Sequence, residues 1–557
     1  MSSEEKAEMA HLEVTTSAST TDPKATENSQ SFGDAANALL GAHAHDPVIV
    51  SPEDNARLLR KTDLYLLPVM LGIYFLQQLD KSTLSYASVF NLVKDANLVG
   101  YQYSSLSSIV YAAQFIWQPV SSYFLVRLPV GRWLAFNVFA WGVVLSLMST
   151  ARSFSTLIAA RFFLGIFEAT VAPTFVTITA MWWRRREQTQ RTSLWYAMNG
   201  VTTIAAQSIL PFTIQVLMID PVRITFDLWV GAHSQLAEAV PSMLAIIFLF
   251  TGLLTVAFSV IVLILLPNSP TTARFLSLDD KVLVLERLRA NNTGTETKKW
   301  KWEQVRECLL DLKTWCWFLL IFTISIPSGG ISTFGPLIVD SLGFNQFQTI
   351  LLQMPFGAMQ VIATLGGGFF AARFKRKWPV LVGLTIPPIA GAAALLKINR
   401  SASNAKAALL ASYYLVSFYP GISPIIYTWS SQNTAGHTKK TLTTGVLFIG
   451  QSAGNVVGPF LYTTAQAPLY HEGLESSLVC FAVLAGLMCF TAFYLNILNR
   501  QQIVRRIANG KTGELVDASL EETKDAGAAQ QANGAQFGAN AFDDLTDRQN
   551  EDFIYVL

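Results

Sequence analysis

Charged residues are scarce in this sequence. They make up 14% of the 557 residues, while hydrophobic residues make up 51%. Soluble domains carry about 25% charged residues, so this composition excludes a large soluble protein. The net charge of +2 gives no indication of nucleic acid as a partner, and only the distribution of charge along the chain is informative.

Cysteines and catalytic patterns are also lacking. The four cysteines lie in or beside apolar segments, with neither metal-ligand spacing nor the framework of a secreted disulfide-rich domain, which predicts free buried thiols. The sequence contains no nucleophile–base set, no metal-binding cluster and no glycine loop suited to phosphate. It therefore predicts neither an enzyme nor a protein with a metal or cofactor.

Long apolar runs are what the sequence has in abundance. A membrane-spanning helix needs about 20 mainly apolar residues. Twelve such stretches can be counted, at 64–90, 103–126, 133–150, 156–183, 193–218, 241–267, 314–339, 346–372, 379–397, 405–431, 442–465 and 474–498. The sequence thus predicts an all-α membrane protein with twelve transmembrane helices.

A long polar segment divides these spans into two sets of six. Residues 268–312 are charged and about twice as long as an ordinary connection, which separates a half at 61–267 from a half at 313–500. Transporters built from two parallel repeats have this layout. The tails at 1–60 and 501–557 are polar and predicted to be disordered. No signal peptide opens the chain, so insertion is expected to depend on the first span.

Lys and Arg residues indicate the orientation, because they are enriched in cytosolic loops. They cluster in the central segment and after the second, fourth, eighth and tenth spans. One loop on the opposite side, with Lys397, Arg400 and Lys406, disagrees with the majority. The majority predicts that the central segment and both tails are cytosolic.

Four charged residues fall inside predicted spans, where an isolated charge costs about 2.5–3.5 kcal/mol on insertion scales. They are Asp80 and Lys81 in the first span and Arg161 and Glu168 in the fourth. Seven residues separate Arg161 from Glu168, which returns to nearly the same helix face about 10.5 Å along the axis. That face therefore offers a cation and an acid.

A cation shielded from water can bind a carboxylate, and a carboxyl group shielded from water can exchange a proton near neutral pH. We therefore interpret Lys81 and Arg161 as substrate-binding residues, and Asp80 and Glu168 as proton-coupling residues. The alternative is that the four form structural ion pairs, which often break even against apolar packing.

Uncharged polar residues also interrupt the apolar spans. Tyr111 and Gln114 lie in the second span, Asn199 and Gln207 in the fifth, and Gln451 and Asn455 in the eleventh. They could line the substrate path, and all except Gln207 are taken as candidate substrate contacts. The alternative is hydrogen bonding between helices, worth about 0.6 kcal/mol each on average.

Several motifs together resemble a known family. The run DKSTLSYA at 80–87 and the run RFFLGIFEA at 161–169, followed by Pro173, are similar to the anion:cation symporter branch of the major facilitator superfamily. The runs MWW at 181–183, LPNSP at 266–270, ARFL at 273–276 and GGISTFG at 329–335 resemble its fungal allantoate permease group. The resemblance covers about residues 64–500.

The resemblance implies the major facilitator fold and proton-coupled uptake of a small organic anion. Relatives carry ureido acids such as allantoate, vitamin acids such as nicotinate, pantothenate or biotin, and sugar acids. In that branch the cations at the positions of Lys81 and Arg161 engage the substrate carboxylate, and the acids at the positions of Asp80 and Glu168 bind protons. Lys81 replaces an Arg found in many relatives, so it keeps the charge without the two-pronged guanidinium. A monomer in the plasma membrane, surrounded by lipid, is expected.

The sequence departs from one superfamily signature, the cytosolic Gly-x-x-x-Asp-Arg-x-Gly-Arg motif. Gly131 and Arg132 match, but Leu128 replaces the Asp after the second span, and Ala372 replaces it after the eighth. Other contacts, with residues 184–187 as candidates, are therefore expected to hold the cytosolic gate.

Two other functions are considered. A proton-antiport exporter usually carries a Gly-Pro-Gly-Gly-like motif in its fifth helix, which reads NGVTT at 199–203 here. A nutrient sensor that does not transport would be expected to have long cytosolic tails with a folded pattern. Residues 219–242 form a long connection, interpreted either as an extra outer loop or as a gene-model error.

Overall fold

The computed structural model describes most of the chain. The described residues are 50–89, 102–151, 153–217, 243–289, 291, 299–344, 346–399, 405–462, 470–511, 517, 519–520 and 544–557. Residues 1–49 of the tail predicted at 1–60, and the connection at 219–242, lie outside the described residues. Every regular element within the described part of the chain is helical.

The first half contains six spans built from seven helices. They are α1 (Pro52–Val89), α2 (Gln102–Arg127), α3 (Val130–Met148), α4 (Phe154–Glu168), α5 (Val171–Trp182), α6 (Arg185–Leu217) and α7 (Met243–Leu265). Helices α4 and α5 together form the fourth span. Two short helices follow in the central segment, α8 (Leu278–Arg289) and α9 (Trp302–Leu310).

The second half repeats the pattern. Its helices are α10 (Leu312–Asp340), α11 (Gln346–Leu351), α12 (Gln353–Arg373), α13 (Trp378–Lys397), α14 (Ala405–Val416), α15 (Ile422–Gln432), α16 (His437–Val457) and α17 (His471–Ala508). The pairs α11–α12 and α14–α15 each form one span. The described helices thus form twelve spans in two sets of six, as the sequence predicts.

Hydropathy separates the spans into two kinds. Eight segments of the described chain are long and apolar enough to cross a membrane by composition alone. The four spans outside this set are α1, α2, α6 and α16, and all four contribute polar side chains to the central cavity described below. These polar side chains contribute to the lower hydropathy of the four spans.

Three spans of the described chain are broken, the fourth, the eighth and the tenth, and the fourth and tenth occupy corresponding positions in the two halves. A proline lacks an N–H and clashes with the carbonyl four residues earlier. The position four residues before Pro173 is Ala169, where α4 gives way to α5, and the position four before Pro420 is Val416, where α14 ends. Interrupted helices at matching positions of two repeats indicate a binding site between them.

The outer surface of the bundle is apolar. Helix α7 exposes Leu263 and Ile264 at 59% and 69%, and α17 exposes Val479 and Phe493 at 60% and 64%. Soluble monomers rarely carry apolar surface on such a scale. These helices therefore present the face expected to contact lipid.

The two halves contact each other most extensively along two helix pairs, α6 with α12 and α2 with α16. Gly200 of α6 lies against Gly357 of α12 so closely that a β-carbon added to Gly200 would sit 2.4 Å from the Gly357 carbonyl oxygen. Small residues at such crossings let helix backbones approach. This crossing joins surfaces that must move in a transporter with two rocking halves.

We expect Gly200→Ala to destabilise the protein by about 1–3 kcal/mol, because the new methyl group overlaps a backbone atom that cannot turn away. Thermal unfolding of the detergent-purified protein measures the loss. Gly366→Ala on α12 is the matched control, since an added β-carbon there meets no atom within 4 Å. Equal melting temperatures for the two variants would contradict the close crossing.

The central segment is partly helical and packs against both halves. Asp280 of α8 forms ion pairs with Arg57 at 2.9 Å and Lys61 at 2.8 Å, both on α1. Burial alone would raise the pKa of Asp280, but these two cations hold it below its ordinary value. Glu307 of α9 pairs with Lys439 of α16 at 2.8 Å. We call the end of the bundle that carries this segment the loop face.

The ends of the chain differ from the predicted tails. Helix α1 begins at Pro52 and α17 continues to Ala508, so both helices extend into segments predicted to be disordered. Residues 544–557 pack against the loop face, with Asp547, Phe553 and Tyr555 at most 3% exposed. The physical reason is charge and aromatic complementarity with the loop face, which hydropathy does not reveal.

Candidate functional site

A cavity of about 230 Å³ lies between the two halves. Helices α1, α2, α4, α5 and α6 line it from the first half, and α10, α12, α14 and α16 from the second. No described residue of α3, α7, α13 or α17 reaches it. The volume is below the roughly 300–1,000 Å³ of drug-sized ligand sites, so the cavity suits a small solute.

Aromatic residues from both halves pack between the cavity and the loop face. Trp195 of α6 stacks on Tyr427 of α15 with ring centroids 6.2 Å apart, and Tyr196 meets the same ring at 5.8 Å. Nearer the loop face, the Gln432 side-chain amide donates to the Arg185 carbonyl oxygen at 2.6 Å. These contacts join the two halves on the loop-face side of the cavity.

All nine predicted site residues line this one cavity. They are Asp80, Lys81, Tyr111, Gln114, Arg161, Glu168, Asn199, Gln451 and Asn455. Gln207, noted for its polarity, lines it too. The sequence spacing thus identified residues that converge, from five different helices.

Glu168 lies at the centre of the charged wall. Its Oε2 atom is 3.6 Å from the Lys81 ammonium, and it accepts a hydrogen bond from the Gln114 amide at 3.3 Å. The Glu168 side chain is shielded from solvent, whereas Lys81 keeps 27% exposure towards the cavity. The Lys81 ammonium also lies 5.9 Å from the centre of the Tyr111 ring.

Asp80 belongs to the same cluster and is held by a residue of α3. Its Oδ2 atom accepts a hydrogen bond from the Trp141 indole at 2.7 Å, and the carboxyl group interacts directly with that of Glu168. Arg161 is 4% exposed and acts electrostatically on both acids. Two acids and two cations therefore share one cluster, in which Lys81 is the most exposed member.

The opposite wall is uncharged and rich in amides. Gln451 accepts a hydrogen bond from the Tyr427 hydroxyl at 2.7 Å, and the Asn455 amide donates to the Gln451 carbonyl at 3.0 Å. The first half also contributes an amide to the cavity, since Asn199 of α6 donates to the Tyr74 hydroxyl of α1 at 3.5 Å. The charged lining residues thus all belong to the first half, whereas the described lining residues of the second half are uncharged.

Some lining residues escaped the sequence analysis. Tyr74, Gln77 and Gln78 share one face of α1 with Lys81, and their spacing could have identified them because positions three and four apart adjoin on a helix. Gln353 and Tyr413, joined by a hydrogen bond of 3.1 Å, carried no such signal. Trp141 belongs to a peripheral span, so its bond to Asp80 could not be predicted.

Residues 184–187, which the sequence analysis nominated for the cytosolic gate, make contacts with the central segment. Residues 184–187 lie at the loop face, where Glu187 pairs with Arg287 of α8. The Arg185 backbone N–H donates to Asn291 at 3.0 Å. The stretch that the sequence nominated thus connects α6 to the central segment.

Comparisons with known sequences agree with this geometry. A sequence model of the Major Facilitator Superfamily matches residues 70–459. An uncharacterized transporter of Schizosaccharomyces pombe, C757.13, is 32% identical, and the match covers 92% of this chain and 89% of the relative. The thiamine pathway transporter THI73 of Saccharomyces cerevisiae is 29% identical, covering 96% and 90%. The allantoate permease of that yeast is 28% identical, covering 91% and 88%.

A solved structure shows the same fold at low sequence identity. That structure is of a bacterial homologue of the human lysosomal transporter Spinster, in an inward-facing and occupied conformation. It superimposes with a TM-score of 0.53 at 16% identity, covering 77% of this chain and 96% of that chain. At this identity the likeness bears on the fold alone.

Proposed function

This chain belongs to the Major Facilitator Superfamily, and on that premise we propose that it takes up a small organic anion together with protons by alternating access. The two halves rock about the central cavity and expose it to one side of the membrane at a time. Transport is the function of the family. The anion, the proton and the direction are the parts proposed here.

The ion pair between Lys81 and Glu168 is the observation on which the proposal rests. The ammonium faces the cavity while the carboxylate lies behind it, 3.6 Å away. A substrate carboxylate can pair fully with Lys81 only in competition with Glu168. Protonation of Glu168 ends this competition, so anion and proton binding favour each other. That is reciprocal coupling between two sites.

Arg161 and Asp80 complete the two proposed sites. The Arg161 guanidinium lines the cavity and can bind a carboxylate through two parallel hydrogen bonds. Asp80 interacts with Glu168, and two carboxyl groups so close cannot both stay ionised at low cost. The pair can therefore hold one proton between them, with the Trp141 indole orienting Asp80.

The cavity also restricts the substrate. A solute of the size it admits would place its carboxylate at Lys81 and Arg161 and its other polar groups against Gln451 and Asn455. Amide side chains both donate and accept hydrogen bonds, which suits a ureido or amide group. With an allantoate permease among the relatives, we propose a ureido acid or a vitamin acid such as nicotinate or pantothenate.

Orientation and location follow from the same premises. We propose that the loop face is cytosolic, because the Lys and Arg residues of the connecting segments gather there. Both chain ends then lie in the cytosol. An uptake carrier acting as a monomer in the plasma membrane is the simplest arrangement for this function.

The test is uptake by cells that express the full chain. We expect at least one labelled acid from a panel of ureido, vitamin and sugar acids to accumulate, faster when the outside medium is acidified. Dissipating the proton gradient with an uncoupler should abolish accumulation. A non-transported carboxylate of similar size should compete, whereas its neutral amide analogue should not.

Cells with empty vector provide the baseline. Accumulation that is unchanged by the uncoupler would refute proton coupling. Equal competition by the amide and the carboxylate would refute the anion site. Outward movement driven by an opposing proton gradient, with no uptake, would establish export instead.

A further inference from the structure

The segment 544–557 connects the two halves at the loop face. It reads DLTDRQNEDFIYVL and combines acidic with aromatic residues. Asp547 and Thr546 are fully buried, and Phe553 is 1% exposed. A polar stretch after the last transmembrane helix would ordinarily be expected in solvent, so burial on this scale implies specific docking.

Its main attachment to the second half is ionic. Asp547 pairs with Lys439 of α16 at 2.8 Å and with Lys313 of α10, and the Tyr555 hydroxyl donates to Asp547 Oδ2 at 2.9 Å. Lys439 is shared with Asp311 at 2.9 Å. A buried carboxylate between two ammonium groups has the compensation that a buried charge requires.

Backbone hydrogen bonds fix the end of the segment. The Trp429 indole donates to the Val556 carbonyl at 2.8 Å, and the Val556 N–H donates to Asn433 at 2.7 Å. The Lys377 N–H donates to the Leu557 carbonyl at 2.6 Å. The segment thus contacts helices α10, α13, α15 and α16 or the turns beside them.

Its contact with the first half centres on Arg185, the first residue of α6. The guanidinium lies 4.7 Å from the centre of the Phe553 ring and donates to the Ile554 carbonyl at 3.2 Å. Arg185 is also 3.7 Å from the Asp517 carboxylate. Helix α6 lines the cavity and crosses the other half at Gly200, so this residue links the segment to a moving element.

We propose that residues 544–557 act as an intramolecular latch, a docked ligand that holds the two halves together at the loop face and slows the opening of that face. The proposal rests on alternating access as part of the proposed function, but on neither the anion nor the proton. Undocking the segment would remove its contacts with the Arg185 side chain. The hydrogen bond from Gln432 to the Arg185 carbonyl oxygen would remain between α6 and α15.

The two ammonium groups beside Asp547 favour its ionised form. Although burial favours the neutral acid, Lys313 and Lys439 hold the pKa of Asp547 well below its ordinary value. A carboxyl group with a lowered pKa stabilises the docked state above its ordinary pKa and loses that effect only as the pH falls through the lowered value. Asp547 itself therefore stays ionised throughout the physiological pH range.

A purely structural cap would also bury this segment, and the two roles predict opposite effects. A cap keeps the second half folded, so loosening it lowers both stability and activity. A latch restrains one motion, so loosening it from the first half speeds opening and leaves stability nearly unchanged. Arg185→Gln tests this, because it removes the cross-half contacts and spares the ionic attachment to the second half.

Arg506→Gln is the matched control. Arg506 of α17 is also buried and pairs with Asp552 of the same segment, but this contact joins the segment to α17 and not to the first half. Opening can be followed without substrate by introducing Ser431→Cys. Ser431 is 4% exposed on α15, next to Gln432, which bonds the Arg185 carbonyl oxygen. The thiol introduced there should therefore react with a membrane-impermeant maleimide, added from the loop-face side, only when that face opens.

We expect Arg185→Gln to raise the labelling rate of the thiol introduced by Ser431→Cys about fivefold to tenfold, from the loss of a cation–π contact and a charged hydrogen bond. The rate is measured above that of the same chain retaining Ser431. Arg506→Gln should label at the parental rate. Deleting 544–557 from the full chain should accelerate labelling at least as much as Arg185→Gln.

Two results would overturn the latch. One is an unchanged rate for Arg185→Gln in protein of parental melting temperature. The other is slower labelling with a lowered melting temperature, which would make the segment a structural cap. A third result is that Arg185→Gln accelerates labelling while the parental chain takes up none of the tested acids. That result would support the latch and would count only against the proposed anion transport.

Discussion

Arg161→Ala is expected to lower the uptake of the carboxylate substrate about a hundredfold at subsaturating concentration. Arg161 lines the cavity and is 4% exposed. If the guanidinium is removed, little water is available to form the hydrogen bonds that the substrate carboxylate loses. Hydrogen bonds to charged groups contribute about 1.5–3 kcal/mol, and about 1.4 kcal/mol corresponds to a tenfold change. Initial uptake rates over a range of substrate concentrations measure the loss.

Arg161→Lys separates charge from geometry. The ammonium keeps the charge but cannot form two parallel hydrogen bonds, so we expect an intermediate rate with a raised KM. Arg60→Ala is the control for expression, because Arg60 is exposed on α1 away from the cavity. Parental uptake by Arg161→Ala at equal surface abundance would remove Arg161 from the binding site.

The charged wall of the cavity could be predicted from the sequence because its residues are expensive in a membrane. A chain that keeps Lys81, Arg161 and Glu168 within apolar spans must place them in a cavity or against partners. Arg161 and Glu168 lie on one face of the same helix, which indicated that both face the same cavity. The structure brings all of them to the same cavity.

The uncharged wall could be predicted only in part. Gln451 and Asn455 are conspicuous in an apolar span, but Gln353 and Tyr413 lie in helices broken near Pro355 and Pro420. Sequence spacing does not define which face such a helix presents after the break. Residues that meet across helices, such as Trp141 with Asp80, require the packing itself.

The docked segment shows a different limit. Its acidic and polar composition predicts disorder, and that prediction treats the segment in isolation. The compensating cations, Lys313 and Lys439, lie more than a hundred residues earlier. The pairing of Asp547 with them depends on two helix ends meeting at the loop face, which no local pattern encodes.

Glu168→Gln is expected to uncouple substrate movement from the proton gradient. The amide introduced at position 168 would keep the shape of the side chain and stay neutral at every pH, so Lys81 loses its 3.6 Å competitor and remains available to the anion. One proton moving down a gradient of about one pH unit supplies about 1.4 kcal/mol, enough for about tenfold accumulation. We expect this accumulation to be lost.

Exchange of labelled for unlabelled substrate should survive in Glu168→Gln, because it requires binding and rocking but no net proton movement. Its rate should also lose its dependence on pH. Glu475→Gln, 63% exposed at the start of α17, is the matched control and should accumulate substrate as the parent does. Retained accumulation by Glu168→Gln would move the proton site to Asp80. Loss of exchange as well as accumulation would show that Glu168 is needed for the structure of the site or for substrate binding. Lys81 would then require Glu168 as its ion-pair partner in every step of the cycle.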